Sequence, residues 1–205
     1  MPRCVVVTGM HRSGTSALAG LLHTNGVSMG KTFLPPPLPE NPYGFFEDIE
    51  FRRLNDKLLA LNNYNVKSYS PYIPSIFLVT RELRRDMRSL IDTRSGCWGF
   101  KDPRTCLTLH LWVSALPQHT VVVVTRRPYH AIGRSLALRG NCTVEQGERL
   151  AASYYACLEE YMRLTPYPVT YVEFEQLLSS PELVAEKLTS IVGRKITNLE
   201  HIRRH

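Results

Sequence analysis

The chain has no apolar run approaching the roughly 18 residues that a membrane span requires. Residues 1–8 turn polar too soon to form the core of a secretion signal, so a cytoplasmic protein is expected. Cysteine is sparse: five in 205 residues, with no CxxC pair and no histidine at zinc-ligand spacing. No metal site is expected, and the five thiols are read as reduced and mostly buried. Negative charge is also short, with 18 Asp and Glu against 25 Lys and Arg, a net charge of +7. An anionic partner follows, although nucleic acid, a membrane surface, a nucleotide and a sulfated sugar all satisfy that balance. With 43% hydrophobic and 21% charged residues, wholesale disorder, collagen and a disulfide miniprotein are excluded. The length suits a single domain spanning residues 1–205.

Short β-branched runs at 4–8, 120–125 and 169–172, with a short apolar run at 97–100, read as strands. Helical spacing recurs at 16–22, 49–61, 76–91, 128–139, 145–164 and 181–192, the last closed by Gly193. Strands alternating with helices imply right-handed crossovers. The expected fold is a three-layer α/β domain, a parallel central sheet with helices on both faces. Pro35, Pro36, Pro37, Pro39 and Pro42 mark residues 27–46 as a long loop or lid. Arg81, Arg84, Arg85 and Arg88 form one stripe, read as a solvated helix face.

Between the first strand and the first helix lies Gly9-Met10-His11-Arg12-Ser13-Gly14-Thr15-Ser16. Glycines at both ends let the backbone curl, so that N–H groups and the helix N-terminus face one anion. A Walker A loop needs Gly-Lys-Ser/Thr, and here the lysine is missing while Arg12 sits inside the loop. The strand at 120–125 ends in Arg126-Arg127, where a magnesium-binding Asp is wanted. The loop is P-loop NTPase-like in shape but poorly equipped for an ordinary NTPase.

The loop resembles the 5′-phosphosulfate loop of sulfotransferases that use 3′-phosphoadenosine 5′-phosphosulfate (PAPS). The matching positions are Arg12, Ser13, Gly14, Thr15 and Ser16, with His11 beside them. A second block resembles the family's 3′-phosphate site: strand, Arg126-Arg127-Pro128, then Ser135 in the next helix. Ser135 lies nine residues after Arg126 where eight is usual, so either Arg127 takes the role or the turn absorbs a residue. Residues 98–105 (WGFKDPRT) are similar to a Lys-Asp-Pro motif, and residues 169–193 to the strand and helix that close the bacterial-type and tyrosylprotein branches. The resemblance implies PAPS as donor, no metal, and a hydroxyl (or amine) acceptor, a carbohydrate or another small molecule among the candidates. It names no specific nucleic-acid partner.

Sulfuryl transfer builds negative charge on the leaving oxygens, which calls for fixed cations and N–H donors. Arg12 and Lys101 are the candidates for that work. Glu47 is the candidate base, because Phe45 and Phe46 beside it are expected to raise its pKa. Asp48 is expected to cap the helix that follows, and His11 is the rival base. Two competing readings remain: a divergent P-loop small-molecule kinase, and a non-catalytic nucleotide- or nucleic-acid-binding module.

Overall fold

The computed structural model describes residues 3–35, 43–140 and 142–203. The expected lid falls partly outside them, since Pro36, Pro37, Pro39 and Pro42 are not among the described residues. Four strands, β1 (Arg3–Thr8), β2 (Cys97–Lys101), β3 (His119–Thr125) and β4 (Val169–Glu173), form one parallel sheet in the order β2-β1-β3-β4. Val6 lies opposite Phe100 on one side and Val121 on the other. Successive residues of a strand point to opposite faces, and the two cores divide accordingly. Cys4, Val6, Val121 and Val123 enter one core, whereas Val5, Val7, Val122 and Val124 enter the other.

The first core is covered by α2 (Ile49–Leu61), α3 (Arg81–Asp92), α4 (Thr105–Trp112), α5 (His130–Ala137) and α6 (Val144–Leu164). The second is covered by α1 (Thr15–Thr24), α7 (Phe174–Ser179), α8 (Pro181–Val192) and α9 (Glu200–Arg203). This is the three-layer α/β arrangement that the alternating pattern implies. Helices start where the side chains supply caps. Asp48 accepts from Glu50 N, and Thr143 with Gln146 forms a capping box on α6. Gly193 closes α8 in the left-handed conformation.

The helix expected at 76–91 starts later, at Arg81. Asn62 accounts for the difference, because its Oδ1 accepts from Phe77 N and Leu78 N at 3.0 and 2.8 Å and holds that stretch extended. Thr80 then caps the helix through Leu83 N. The arginine stripe of α3 is exposed, as the spacing suggests. Helix α4 gives no periodic signal because Cys106, Leu107, Leu109, Leu111 and Trp112 are all buried, leaving almost no polar face to read.

One close approach sets the position of α5. A Cβ on Gly133 would lie 2.4 Å from Val144 O, and a Cβ on Gly147 would lie 2.7 Å from the Gly133 Cα. The two backbones touch where a side chain does not fit. Gly133→Ala is therefore expected to destabilise the protein by about 1–3 kcal/mol, the usual cost of overpacking. The exposed Arg85→Ala should stay within about 0.5 kcal/mol of the parent. Urea denaturation of the two variants side by side measures the difference, and equal midpoints would contradict this packing.

Candidate active site

All four strands end at the same edge of a parallel sheet, so the segments that follow them share one space. That space is a cleft of about 460 Å³. The loop after β1, Lys101, Pro103 and Arg104 at the end of β2, Arg126 after β3 and Phe174 after β4 all reach it.

The loop is shaped by contacts that admit glycine only. A Cβ on Gly9 would lie 2.3 Å from Val124 O, and one on Gly14 would lie 2.0 Å from the Phe174 ring. Gly14 also has φ 92° and Arg12 φ 69°, both left-handed. Gly14 is the N-cap of α1 and brings no side chain to its first N–H groups, and the first turn carries no acidic residue. The helix therefore presents donors and a positive dipole end to the cleft. His11, Arg12, Gly14, Thr15 and Ser16 line the cleft, while Ser13 is buried beneath the loop.

Arg12 Nε donates to Ser135 Oγ at 2.7 Å, and Arg126 Nη1 donates to the Arg12 carbonyl at 3.3 Å. Arg126 also stands 4.8 Å over the Phe174 ring, with Glu175 Oε1 3.4 Å from its Nε. Arg127 turns the other way, over Tyr129, and lines a separate cavity of about 210 Å³ with Tyr155 and Tyr171. Arg126 is thus the member of the pair that shares the cleft with Arg12.

The end of β2 carries a buried charge cluster. Lys101, 1% exposed, donates from Nζ to Glu47 Oε1 at 2.9 Å. Arg104 Nη1 lies 3.7 Å from Glu47 Oε2 and 3.0 Å from Asp102 Oδ1, and its Nε lies 2.8 Å from Asp56 Oδ1. Asp102 is fully buried and accepts from Asn55 Nδ2 and from Arg104 N, both at 2.9 Å. Asn55 Oδ1 in turn accepts from Thr108 and Trp112 at 2.7 and 2.8 Å. Burial acts to raise the Asp102 pKa, but Arg104 and the hydrogen bonds outweigh it and hold it below its ordinary 3.8.

Glu47 has a different setting from the apolar one its neighbours suggest. Its carboxylate faces two cations. Phe46 turns away onto Phe33, His23 and His201, and Phe45 lies 5.9 Å from Lys101 Nζ. Asp48 caps α2 as expected and additionally accepts from Lys31 N and Arg94 Nη2. Burial pushes His11 down to about 3, aided by the positive field of Arg104, Lys101 and Arg52, with Asp102 opposing. A neutral imidazole of that kind is a weak proton acceptor. Sequence reasoning had no means of assigning Arg52, Lys67, Arg139 and Tyr154 to the cleft, because no motif or period marks them. Among the described residues no group of His, Cys, Asp or Glu is arranged to hold a metal, and no helix is long and apolar enough to cross a membrane. All five cysteines are free thiols, with Cys4 and Cys106 buried and the other three partly so.

Asp102→Asn leaves Arg104 without its closest buried partner. It is expected to cost about 3–5 kcal/mol in urea denaturation near neutral pH. The folded pKa of Asp102 lies below its unfolded value, so its stabilisation is complete above about 3.8 and is lost as pH falls through the lower folded value. The gap between parent and variant should therefore narrow below that pH. A gap that is constant with pH would assign the loss to packing instead.

Comparison with known proteins accords with this layout. No curated protein matches the chain in sequence. Among solved structures, sulfotransferase STF9 from Mycobacterium avium superposes with a TM-score of 0.58 at 15% identity, covering 99% of this chain and 67% of that one. Sulfotransferase STF1 from Mycobacterium tuberculosis H37Rv gives 0.53 at 17% identity, over 100% and 72%. The sulfotransferase domain of the curacin biosynthetic pathway gives 0.56 at 17% identity, over 97% and 76%. At these identities the likeness concerns the fold alone. In sequence, residues 2–198 match the Sulfotransferase family, and the chain belongs to that family.

Proposed function

We propose that the protein transfers a sulfuryl group from PAPS to a hydroxyl-bearing acceptor, and that it does so in the cleft at the C-terminal edge of the sheet. The observation that supports this most directly is the meeting of Arg12, Lys101 and Arg126 around an uncapped helix N-terminus. The residues suit a donor with two anionic ends: N–H groups and guanidinium groups face the cleft, and no carboxylate stands in the first turn of α1. When bound, PAPS supplies an activated sulfuryl group whose leaving group is a phosphate.

The chain's own residues divide the remaining work. The loop from Arg12 to Ser16, with the N–H groups of α1, holds the 5′ end of the donor. Arg126 and Ser135 hold its 3′-phosphate, with Arg127 outside the site. Lys101 and Arg12 stabilise the charge that develops on the departing oxygens. Lys101 also orients Glu47 through Oε1. Oε2 lies 3.7 Å from Arg104, beyond hydrogen-bonding length, and in this reading is the oxygen that takes the acceptor's proton.

Adenosine 3′,5′-bisphosphate should bind at least about tenfold more tightly than AMP, since charge-assisted hydrogen bonds to the 3′-phosphate are absent from AMP. Arg126→Ala should abolish that preference in calorimetry and Arg127→Ala should keep it. Equal affinity of the parent for the two nucleotides would falsify the donor assignment.

Glu47→Gln should retain bisphosphate affinity and lower the rate of labelled sulfate transfer from PAPS by about 10²–10⁴, the span of a positioned base. Transfer at the parental rate removes Glu47 from the role and leaves the donor assignment standing. Transfer should also persist in EDTA, because the fixed cations do the electrostatic work that magnesium does in kinases. Loss in EDTA with recovery on adding magnesium would favour the kinase reading.

A further inference from the structure

The cleft has two ends, set by the strand order. Arg12, Arg126 and Ser135 belong to the β1 and β3 side, with Phe174 beyond them after β4. Lys101 and Arg104 belong to the β2 side, where α2 is docked by Asn55 on Asp102 and Asp56 on Arg104. Strands lie about 4.8 Å apart, so β2 and β3, separated by β1, put these ends about 10 Å from each other.

The β2 end carries cations that neither the donor loop nor the Glu47 pair employs. Arg52 projects from α2 into the cleft and forms an ion pair with Asp56 at 3.8 Å. The Asp56 carboxylate is committed more closely to Arg104, at 2.8 Å. Lys67, from the 3₁₀ turn Val66–Ser68, also lines the cleft, is exposed, and has no ion pair among the described residues. Glu47 is the one carboxylate among the described residues lining the cleft, and Lys101 and Arg104 already meet it. A cationic acceptor finds no counter-charge here. An acceptor bearing an oxyanion finds two guanidinium or ammonium groups and the aromatic faces of Tyr43, Phe45 and Tyr69.

We infer that the β2 end of the cleft is an acceptor site for hydroxyl compounds that carry a carboxylate or phosphate, with Arg52 and Lys67 meeting that charge. This rests on the sulfotransferase reading and specifies its substrate class. Burial is the main cause of the depressed His11 pKa, and Arg104, Lys101 and Arg52 add to it against Asp102, a secondary sign of positive potential near this end. Aromatic faces beside the two cations suit the carbon face of a ring, so the anion is best carried on a cyclic or glycosidic framework.

Calorimetry on the full chain saturated with adenosine 3′,5′-bisphosphate tests the inference with three probes. They are para-nitrophenyl glucoside, para-nitrophenyl glucuronide and the phosphorylated glucoside. At least one charged probe should bind about tenfold or more tightly than the neutral one, with the advantage shrinking as salt is added. The stronger of the two charged probes identifies carboxylate or phosphate as the source of the charge. The double variant Arg52→Gln, Lys67→Gln should lose the advantage while its bisphosphate affinity and circular dichroism stay parental. Equal or tighter binding of the neutral probe, no binding of any probe, or an advantage that survives the double variant overturns the inference. Failure of the bisphosphate to bind, with the charged probes still favoured, overturns the donor assignment and leaves the anion site.

Discussion

Burying charge is costly, and the end of β2 buries several charges together. Removing one ion from water costs several kcal/mol even after relaxation, and attraction offsets this only where every partner is in place. Lys101, Asp102, Arg104 and Glu47 satisfy that condition as a group, with Asn55 filling a remaining acceptor site on Asp102. The cluster ties three separate pieces of chain: the end of β2, the body of α2, and the segment before α2 that carries Glu47. A lysine held by such a network has few alternative rotamers. Its ammonium is therefore fixed before any ligand arrives, which is what electrostatic preorganisation requires.

Glu47 is held just as firmly from behind. Its carbonyl accepts from Leu34 N, and Ile49 N donates to Thr32 O, so the segment is stitched to residues 32–34 by backbone bonds. Asp48 adds side-chain bonds to Lys31 N, Glu50 N and Arg94. Just before them Phe46 adopts φ 52°, a conformation uncommon for an aromatic residue. Its ring is packed by Phe33, His23 and His201, the last coming from α9. The strained backbone turns Glu47 toward Lys101 while Phe46 goes into the opposite core, so one segment serves both the site and the packing.

Parallel topology explains why residues so far apart in the chain cooperate. Right-handed crossovers return each strand in the same direction, so every strand delivers its following loop to one edge. Arg12 and Arg126 reach the cleft after β1 and β3, and Lys101 and Arg104 reach it at the end of β2. Cations predominate among the charged residues lining the cleft at that edge. The excess of Lys and Arg in the composition has a local reason here, although the exposed stripe on α3 contributes to it without entering the cleft.

Much of this was readable in the residues themselves. The β-branched runs specify strands because they suit a sheet buried on both faces. Asp48 and Gly193 announce helix ends through local bonding, and the tight turn from Gly9 to Ser16 is legible because its glycine spacing is a local fact. What the sequence left open depended on long-range contacts. Arg126 and Arg127 are adjacent and alike, and only the packing of Phe174 and Tyr129 sends one to the cleft and the other away. The start of α3 depended on Asn62, fifteen residues earlier. The setting of Glu47 reversed from apolar to cationic because Lys101 and Arg104 reach it from the end of another strand. Arg52 and Lys67 carry no motif at all. Local rules determine which segments form, but which side chains share a cavity follows from how those segments pack.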